Sequence, residues 1–161
     1  MPLQALKEYL EKNGVRYTNI THSKAYTMQS IAALTHISGK KIAKTVMVVV
    51  DGKMSMAVLP ASTRINFSAL KEALGATDVH LARENEFKDI FPNCEVGAMP
   101  PFGNLWNIPV YVAESLTDQE NIAFNAGNHS ELTQMSFRDY ERLVHPQIFK
   151  YSYAQRKKWM A

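Results

Sequence analysis

The sequence predicts a single α+β domain in which short helices surround a mixed, largely antiparallel and barrel-like β-sheet. Hydrophobic residues make up 46% of the 161 residues, which is enough for a substantial core. Strand-like and helix-like segments follow one another without a repeat or a linker. The dipeptide Asp51-Gly52 stands between two β-rich runs and is the strongest local signal for a hairpin.

The first third of the chain predicts two helices and an extended segment. Leucines within residues 3–10 fall on one helical face, and Asn13-Gly14 marks the end of that helix. Residues 15–21 are predicted to be extended. Thr27 is placed to cap a second short helix, which stops before residue 38.

The predicted hairpin contains the central strand of the sheet. Residues 46–50 are apolar on both faces of a strand, so this strand should be covered on both sides. Capping residues, β-rich runs and terminal glycines predict the remaining elements. They are a helix at 67–74 capped by Asn66, a strand at 78–82, a helix at 84–91, strands at 108–112, 121–127 and 131–135, and a helix at 137–144 capped by Ser136.

Composition restricts the class of protein. The longest apolar run is far shorter than a membrane span, and the N-terminus lacks the pattern of a signal peptide, so we expect a cytoplasmic protein without a membrane partner. One cysteine, Cys94, excludes an intramolecular disulfide and argues against a zinc cluster. The five histidines form no metal-binding spacing, and we expect no metal and no cofactor.

The C-terminal segment is basic and aromatic, although the formal net charge of the whole chain is only +3. We place the domain at residues 1–146 and assign residues 147–161 to a tail. Basic side chains interleaved with aromatic ones suit contacts with nucleic acid, and a solvated helix end is the alternative. The residues concerned are Lys150, Tyr151, Tyr153, Arg156, Lys157, Lys158 and Trp159.

Lys44 is the first candidate for chemistry. It precedes the buried run of the central strand and is in phase with Val46 and Val48. A lysine in this position either extends its ammonium to solvent or directs it into a cleft. Lys40 and Lys41 precede it, so the segment also offers positive charge for a phosphate.

The segment CEVGAMPPFG, residues 94–103, is the second candidate. Gly97 permits backbone angles that are closed to other residues, and the two prolines that follow stiffen the loop. Amide N–H groups on a rigid loop are typical of a carbonyl or oxyanion clamp. The alternative is a tight connection that packs Met99 and Phe102 into the core. Cys94 is predicted to be a small packing residue, because no general base is marked for it.

Taken in order, these features resemble the YbaK/EbsC family, which includes the editing insertion domain of bacterial prolyl-tRNA synthetase and its free-standing relatives. The resemblance is carried by Lys44 in the segment AKTV, the G-x-x-x-P loop Gly97–Pro101, the strand IPVYV, and the late segment NAGNHSELTQMSFRDYERL. It covers roughly residues 3–145.

The resemblance implies hydrolysis in trans of the ester that joins a wrong amino acid to tRNA, without a metal ion. The lysine of the family maps to Lys44 and positions the acceptor end, and a histidine of the late turn maps to His129. The carbonyl-holding loop maps to Gly97, Ala98, Met99, Pro100 and Pro101. The substrate-binding candidates, chosen because they lie near these motifs, are Tyr26, Thr27, Met28, Phe102 and Ser130.

The implied partner is the acceptor end of an aminoacyl-tRNA, and an aminoacyl-tRNA synthetase is a further candidate partner. Two alternatives stay open at this point. One is a non-catalytic module that binds a tRNA end, a nucleotide or an amino acid. The other is a hydrolase that depends on Cys94.

Overall fold

The computed structural model describes residues 3–154. It confirms an α+β fold with five helices and ten strands in this part of the chain. In chain order the elements are α1 (Gln4–Lys12), β1 (Tyr17–Thr21), α2 (Met28–Thr35), β2 (Ala43–Val50), β3 (Lys53–Pro60), β4 (Thr63–Ile65), α3 (Phe67–Leu74), β5 (Val79–Leu81), α4 (Glu84–Phe87), β6 (Val110–Ala113), β7 (Asn121–Asn125), β8 (Glu131–Ser136), α5 (Phe137–Val144), β9 (Gln147–Phe149) and β10 (Ser152–Ala154).

The predicted hairpin is confirmed and forms the middle of the largest sheet. β2 and β3 pair antiparallel from Val50 opposite Lys53 to Ala43 opposite Pro60. Asp51 and Gly52 both have positive φ, at 48° and 81°, as a two-residue hairpin turn of this kind requires. The five strands are ordered β5-β2-β3-β6-β9, and both β6 and β9 join in parallel.

Two smaller sheets complete the fold. β1, β8 and β7 form an antiparallel three-stranded sheet, and β10 pairs with β4. A single isolated bridge, Ile42 with Ala123, joins the start of the hairpin to β7. The barrel-like expectation is corrected: within residues 3–154 the strands form three separate sheets and do not close, because β5 and β9 remain as the edges of the largest sheet.

The central strand β2 is covered on both faces, as the sequence predicts. Met47 and Val49 belong to the main buried cluster, which also contains Met99 and Phe102. Val48 faces a second cluster built around Leu70 and Tyr151. Alternating residues of one strand therefore supply two cores.

The three predicted helix caps are confirmed. Thr27 Oγ1 accepts from the Ser30 N–H at 3.1 Å, Asn66 Oδ1 accepts from the Ala69 N–H at 3.0 Å, and Ser136 Oγ accepts from the Asp139 N–H at 3.1 Å. Each bond satisfies one amide that the first helical turn leaves without a partner. No helix in residues 3–154 has the length and apolar character needed to cross a bilayer.

The described part of the C-terminal segment packs with the domain. Residues 147–149 form an edge strand of the largest sheet, and β10 pairs with β4. Tyr151, expected to be a stacking residue, is instead 1% exposed. Its hydroxyl lies 2.6 Å from the Tyr111 carbonyl oxygen and 2.9 Å from that of Val58, so the two oxygens share its single hydrogen. The other tail residues named above, Arg156, Lys157, Lys158 and Trp159, lie outside the described residues.

Tyr151→Phe should lower the free energy of unfolding by about 1–3 kcal/mol, because two buried carbonyls then lose their donor. Urea denaturation monitored by circular dichroism measures the change. Tyr153→Phe is the matched control, since Tyr153 is 51% exposed. Equal midpoints for the two variants would contradict a structural role for the Tyr151 hydroxyl.

Candidate functional site

The loop that carries Gly97 is a tight turn. The Ala98 N–H donates to the Glu95 carbonyl at 3.0 Å, which closes a four-residue turn. Gly97 is its third residue and has φ +85°, a value that residues with a Cβ rarely adopt. The glycine is therefore required by the turn geometry.

Backbone hydrogen bonds join this loop to the late turn between β7 and β8. The Glu95 N–H donates to the Gly127 carbonyl at 2.8 Å, and the Gly127 N–H donates to the Ala98 carbonyl at 3.0 Å. Gly127 has φ +99°, and a Cβ there would meet Leu3 Cβ at 3.0 Å. Two segments about thirty residues apart in sequence thus form one rigid unit.

His129 of the late turn lies directly against the loop. Its Nε2 is 2.8 Å from the Val96 carbonyl oxygen, and a Cβ built on Gly97 would lie 3.7 Å from His129 Cε1. A carbonyl only accepts, so Nε2 carries a hydrogen, and in the neutral ring Nδ1 then holds the lone pair. Nδ1 is buried and has no hydrogen-bond partner among residues 3–154.

The residues before α2 form the other wall. The Ala25 N–H donates to the His129 carbonyl at 3.0 Å. The ring of Tyr26 is 4.7 Å from the ring of His129, although Tyr26 is 68% exposed. Tyr26 and Thr27 also line an open cleft of about 530 Å³ that extends along α2 to Leu34.

Two amides of the loop lack an acceptor among the described residues, one on exposed Gly97 and one on Met99, which is 3% exposed. The N–H of Ala98 is used inside the turn, and Pro100 and Pro101 have none. The N–H groups of Gly97 and Met99 have no acceptor within the described chain. The Tyr140 hydroxyl donates to the Pro101 carbonyl at 2.6 Å, which fixes the far end of the loop.

The structure brings part of the predicted site together. The loop, His129 and Tyr26 are in contact, Thr27 lines the adjoining cleft, and Ser130 lies in the late turn with its amide bonded to Asn128 Oδ1. Met28 is partly buried against the cluster that contains Ile31 and Ile42. Phe102 is fully buried among aromatic rings and packs in the core, so it does not line an open surface.

Lys44 is not bonded to the loop. Its Nζ donates to the Thr63 carbonyl at 2.6 Å, and no hydrogen bond or ion pair joins it to the loop or to His129 in the described residues. Burial, with Arg64 nearby, lowers the pKa of Lys44. Lys44 lies two residues after Ile42, which precedes β2 and shares a buried cluster with Ala25 at the start of the cleft.

Sequence reasoning missed an ion pair next to the loop. Glu95 Oε2 is 3.7 Å from Lys24 Nζ and 4.0 Å from His129 Nε2. Lys24 Nζ also lies 5.8 Å from the centre of the Tyr26 ring. A carboxylate directly before the predicted loop was the available signal, but only the fold shows that Lys24 and His129 face it.

Cys94 lacks the environment of a nucleophile. Burial raises the pKa of its thiol to about 11, so roughly one molecule in ten thousand carries a thiolate at pH 7. Among residues 3–154, no three side chains of His, Cys, Asp or Glu are grouped so that they could hold a metal ion.

Comparison with known proteins gives one family and a shared fold. The profile of a family described as an aminoacyl-tRNA editing domain matches residues 22–143. A proline–tRNA ligase of Bacillus mycoides (strain KBAB4) is 29% identical over 83 residues, which are 52% of this chain and 14% of the ligase. The chain thus matches about a seventh of the length of that relative.

Two solved structures superpose on nearly the whole chain. A hypothetical protein has a TM-score of 0.84 at 25% identity, covering 93% of this chain and 100% of that one. A candidate trans-editing enzyme for prolyl-tRNA synthetase has a TM-score of 0.79 at 16% identity, covering 94% and 96%. The second likeness shows the fold alone.

Alkylation of Cys94 should be slow at neutral pH and should rise about tenfold per pH unit from pH 7 to 9.5, because only the thiolate reacts. Iodoacetamide labelling followed by mass spectrometry measures the rate. In urea, the alkylation rate of the same thiol should reach its plateau just above the ordinary thiol pKa of about 8.5. A plateau below pH 9 in the folded protein would show that the thiol is not held neutral by burial.

Proposed function

The chain belongs to the aminoacyl-tRNA editing domain family, and on that premise we propose that it hydrolyses the ester of a mischarged tRNA in trans, with the acceptor end of the tRNA as its partner. The observation that supports this most directly is the Gly97 loop, which carries two amides without an acceptor in the described residues and packs at Gly97 against the buried ring of His129. The proposed reaction uses groups of this chain and requires no metal ion.

In this proposal the ester carbonyl binds at the amides of Gly97 and Met99. A water molecule attacks the carbonyl carbon and gives up a proton, negative charge develops on the carbonyl oxygen, and each fixed N–H donor stabilises that charge by about 3 kcal/mol. The bond to the ribose oxygen then breaks, and the ribose oxygen takes a proton. The products are a free amino acid and a tRNA with a free hydroxyl.

His129 supplies a proton acceptor in the proposed reaction. The Val96 carbonyl holds the Nε2 hydrogen, which leaves Nδ1 to accept a hydrogen bond from a water molecule or from the neighbouring ribose hydroxyl. Nδ1 is buried, while the ring of Tyr26 packs against the same imidazole at a tilt of 46° and Tyr26 is largely exposed. Tyr26 is thus the side chain that would move to admit the substrate.

Lys44 is proposed to hold a phosphate or the ribose edge of the acceptor end. Its ammonium is half-buried near Arg64, and this arrangement disfavours the charged form. An anion bound between the two cations would remove that penalty. Cations held in an unfavourable environment are common at functional sites.

Wild-type protein incubated with a panel of mischarged tRNAs should release at least one amino acid well above the spontaneous rate. Loss of acid-precipitable radiolabelled aminoacyl-tRNA measures this. Cys94→Ser should retain the activity, because the thiol is neutral and plays no part in the proposed reaction. Absence of hydrolysis across the panel, with tRNA still bound, would instead identify a non-catalytic binding module.

Lys44→Ala serves as the loss-of-function variant in the same assay. Loss of a charge-assisted contact should lower kcat/KM by roughly 10- to 100-fold. Lys53→Ala is the matched control, because Lys53 lies on the same hairpin beside the turn and is exposed. Full activity in Lys44→Ala would remove Lys44 from the site.

Gly97→Ala should lower the kcat of deacylation by more than its loss of folding stability can account for. A Cβ fits at 3.7 Å from His129, so the cost comes from the left-handed backbone, about 1–2 kcal/mol, and from displacement of the loop amides. Gly52→Ala is the control, with φ +81° and open space around it. Urea denaturation should show similar losses for both, whereas kcat should fall only in Gly97→Ala. An equal fall in kcat would exclude the loop as the carbonyl clamp.

A further inference from the structure

Glu95 has a backbone that is fixed by hydrogen bonds and a side-chain carboxylate that accepts none within residues 3–154. Its N–H donates to Gly127 and its carbonyl accepts from Ala98, so the main chain is fixed on both sides. The carboxylate, in contrast, makes no hydrogen bond within residues 3–154. Its ion-pair contacts in the described residues, to Lys24 Nζ and His129 Nε2, are at 3.7 and 4.0 Å.

Neither neighbour satisfies this carboxylate. The hydrogen on His129 Nε2 points to the Val96 carbonyl at 2.8 Å, which leaves it unavailable to Glu95. The Lys24 side chain is 55% exposed, and its ion pair at 3.7 Å is worth little in solvent. A half-buried carboxylate with an anchored backbone and a loosely held counter-ion can exchange that counter-ion for a better one.

The position of Glu95 relative to His129 and Gly97 indicates which cationic group of a substrate it could bind. His129 Nε2 and Cε1 are bonded atoms of one ring; Glu95 Oε2 lies 4.0 Å from the first, and a Cβ built on Gly97 would lie 3.7 Å from the second. The carboxylate therefore lies next to the place where the ester carbonyl is proposed to bind. In every aminoacyl ester, the carbon attached to that carbonyl carries an ammonium group.

We propose that Glu95 binds the α-ammonium group of the aminoacyl ester and that Lys24 leaves Glu95 when the substrate enters. This inference rests on the proposed deacylase function. The negative charge of Glu95 repels phosphate and attracts a cation with several N–H donors. Lys24, once released, stays on the exposed rim of the cleft beside Tyr26.

A comparison of free and N-acetylated ligands tests this assignment, because acetylation removes the ammonium charge. The first probe is 3′-alanylamino-3′-deoxyadenosine, whose amide is not hydrolysed, with its N-acetyl form as partner. Isothermal titration should show about 10- to 100-fold tighter binding of the free amine to wild-type protein. In Glu95→Gln the two forms should bind within about threefold of each other.

The second probe is the aminoacyl-tRNA that the wild-type protein hydrolyses best, with and without N-acetylation and corrected for spontaneous hydrolysis. Loss of the ammonium contact should raise KM and leave kcat nearly unchanged, because the contact is the same in ground state and transition state. Glu114→Gln, an exposed carboxylate at the end of β6, should retain the wild-type preference. Glu95→Asp, which keeps the negative charge, should retain part of the wild-type preference for the free amine.

The outcomes separate the two proposals. Preference for the free amine without any hydrolysis overturns the deacylase function and retains the ammonium site. Hydrolysis with equal kcat/KM for both forms, together with equal affinity or no measurable binding of the analogues, overturns the ammonium site and retains the deacylase. Unchanged preference in Glu95→Gln, with an unchanged urea midpoint, also overturns it.

Discussion

The candidate site depends on the paired backbone hydrogen bonds between the Gly97 loop and the late turn. Glu95 and Ala98 each bond to Gly127, one as donor and the other as acceptor. Gly127 makes this possible by adopting a positive φ in a place where Leu3 leaves no room for a Cβ. The Leu3 N–H in turn donates to the Ala126 carbonyl, so the start of α1 supports the turn. Together with the hydrogen bond from His129 Nε2 to the Val96 carbonyl, these bonds fix the position of His129 relative to Gly97.

Sequence reasoning succeeded where the signal is local. A hairpin turn and a helix cap each depend on a few neighbouring residues, so the residue types themselves indicate the local backbone conformation. This holds for the turn at Asp51-Gly52 and for the caps at Thr27, Asn66 and Ser136. It failed where the partner is distant. Nothing near β6 indicates that it joins β3 in parallel.

The same distinction explains what was found of the site. A glycine followed closely by two prolines indicates a rigid loop, because glycine permits positive φ and proline fixes φ and cannot donate to a helix or a sheet. The contacts of Glu95 with Lys24 and His129 join three separate segments and leave no local trace. Tyr151 shows the opposite error: its basic neighbourhood suggests exposure, but its hydroxyl is needed by two carbonyls of the core.

The groups assigned to the reaction cannot by themselves select an amino acid. In the proposed reaction the loop amides bind the carbonyl and Glu95 binds the ammonium, and both groups are common to every aminoacyl ester. Selection must then come from side chains that contact the variable part of the substrate, and the cleft beside Tyr26 and Thr27 is the adjoining space. One methylene group in such a cleft changes binding by about 1–3 kcal/mol. Fixed contacts to the carbonyl and ammonium hold every amino acid in the same position. A smaller or larger side chain then cannot shift to improve its own packing, so the small difference in binding free energy is kept.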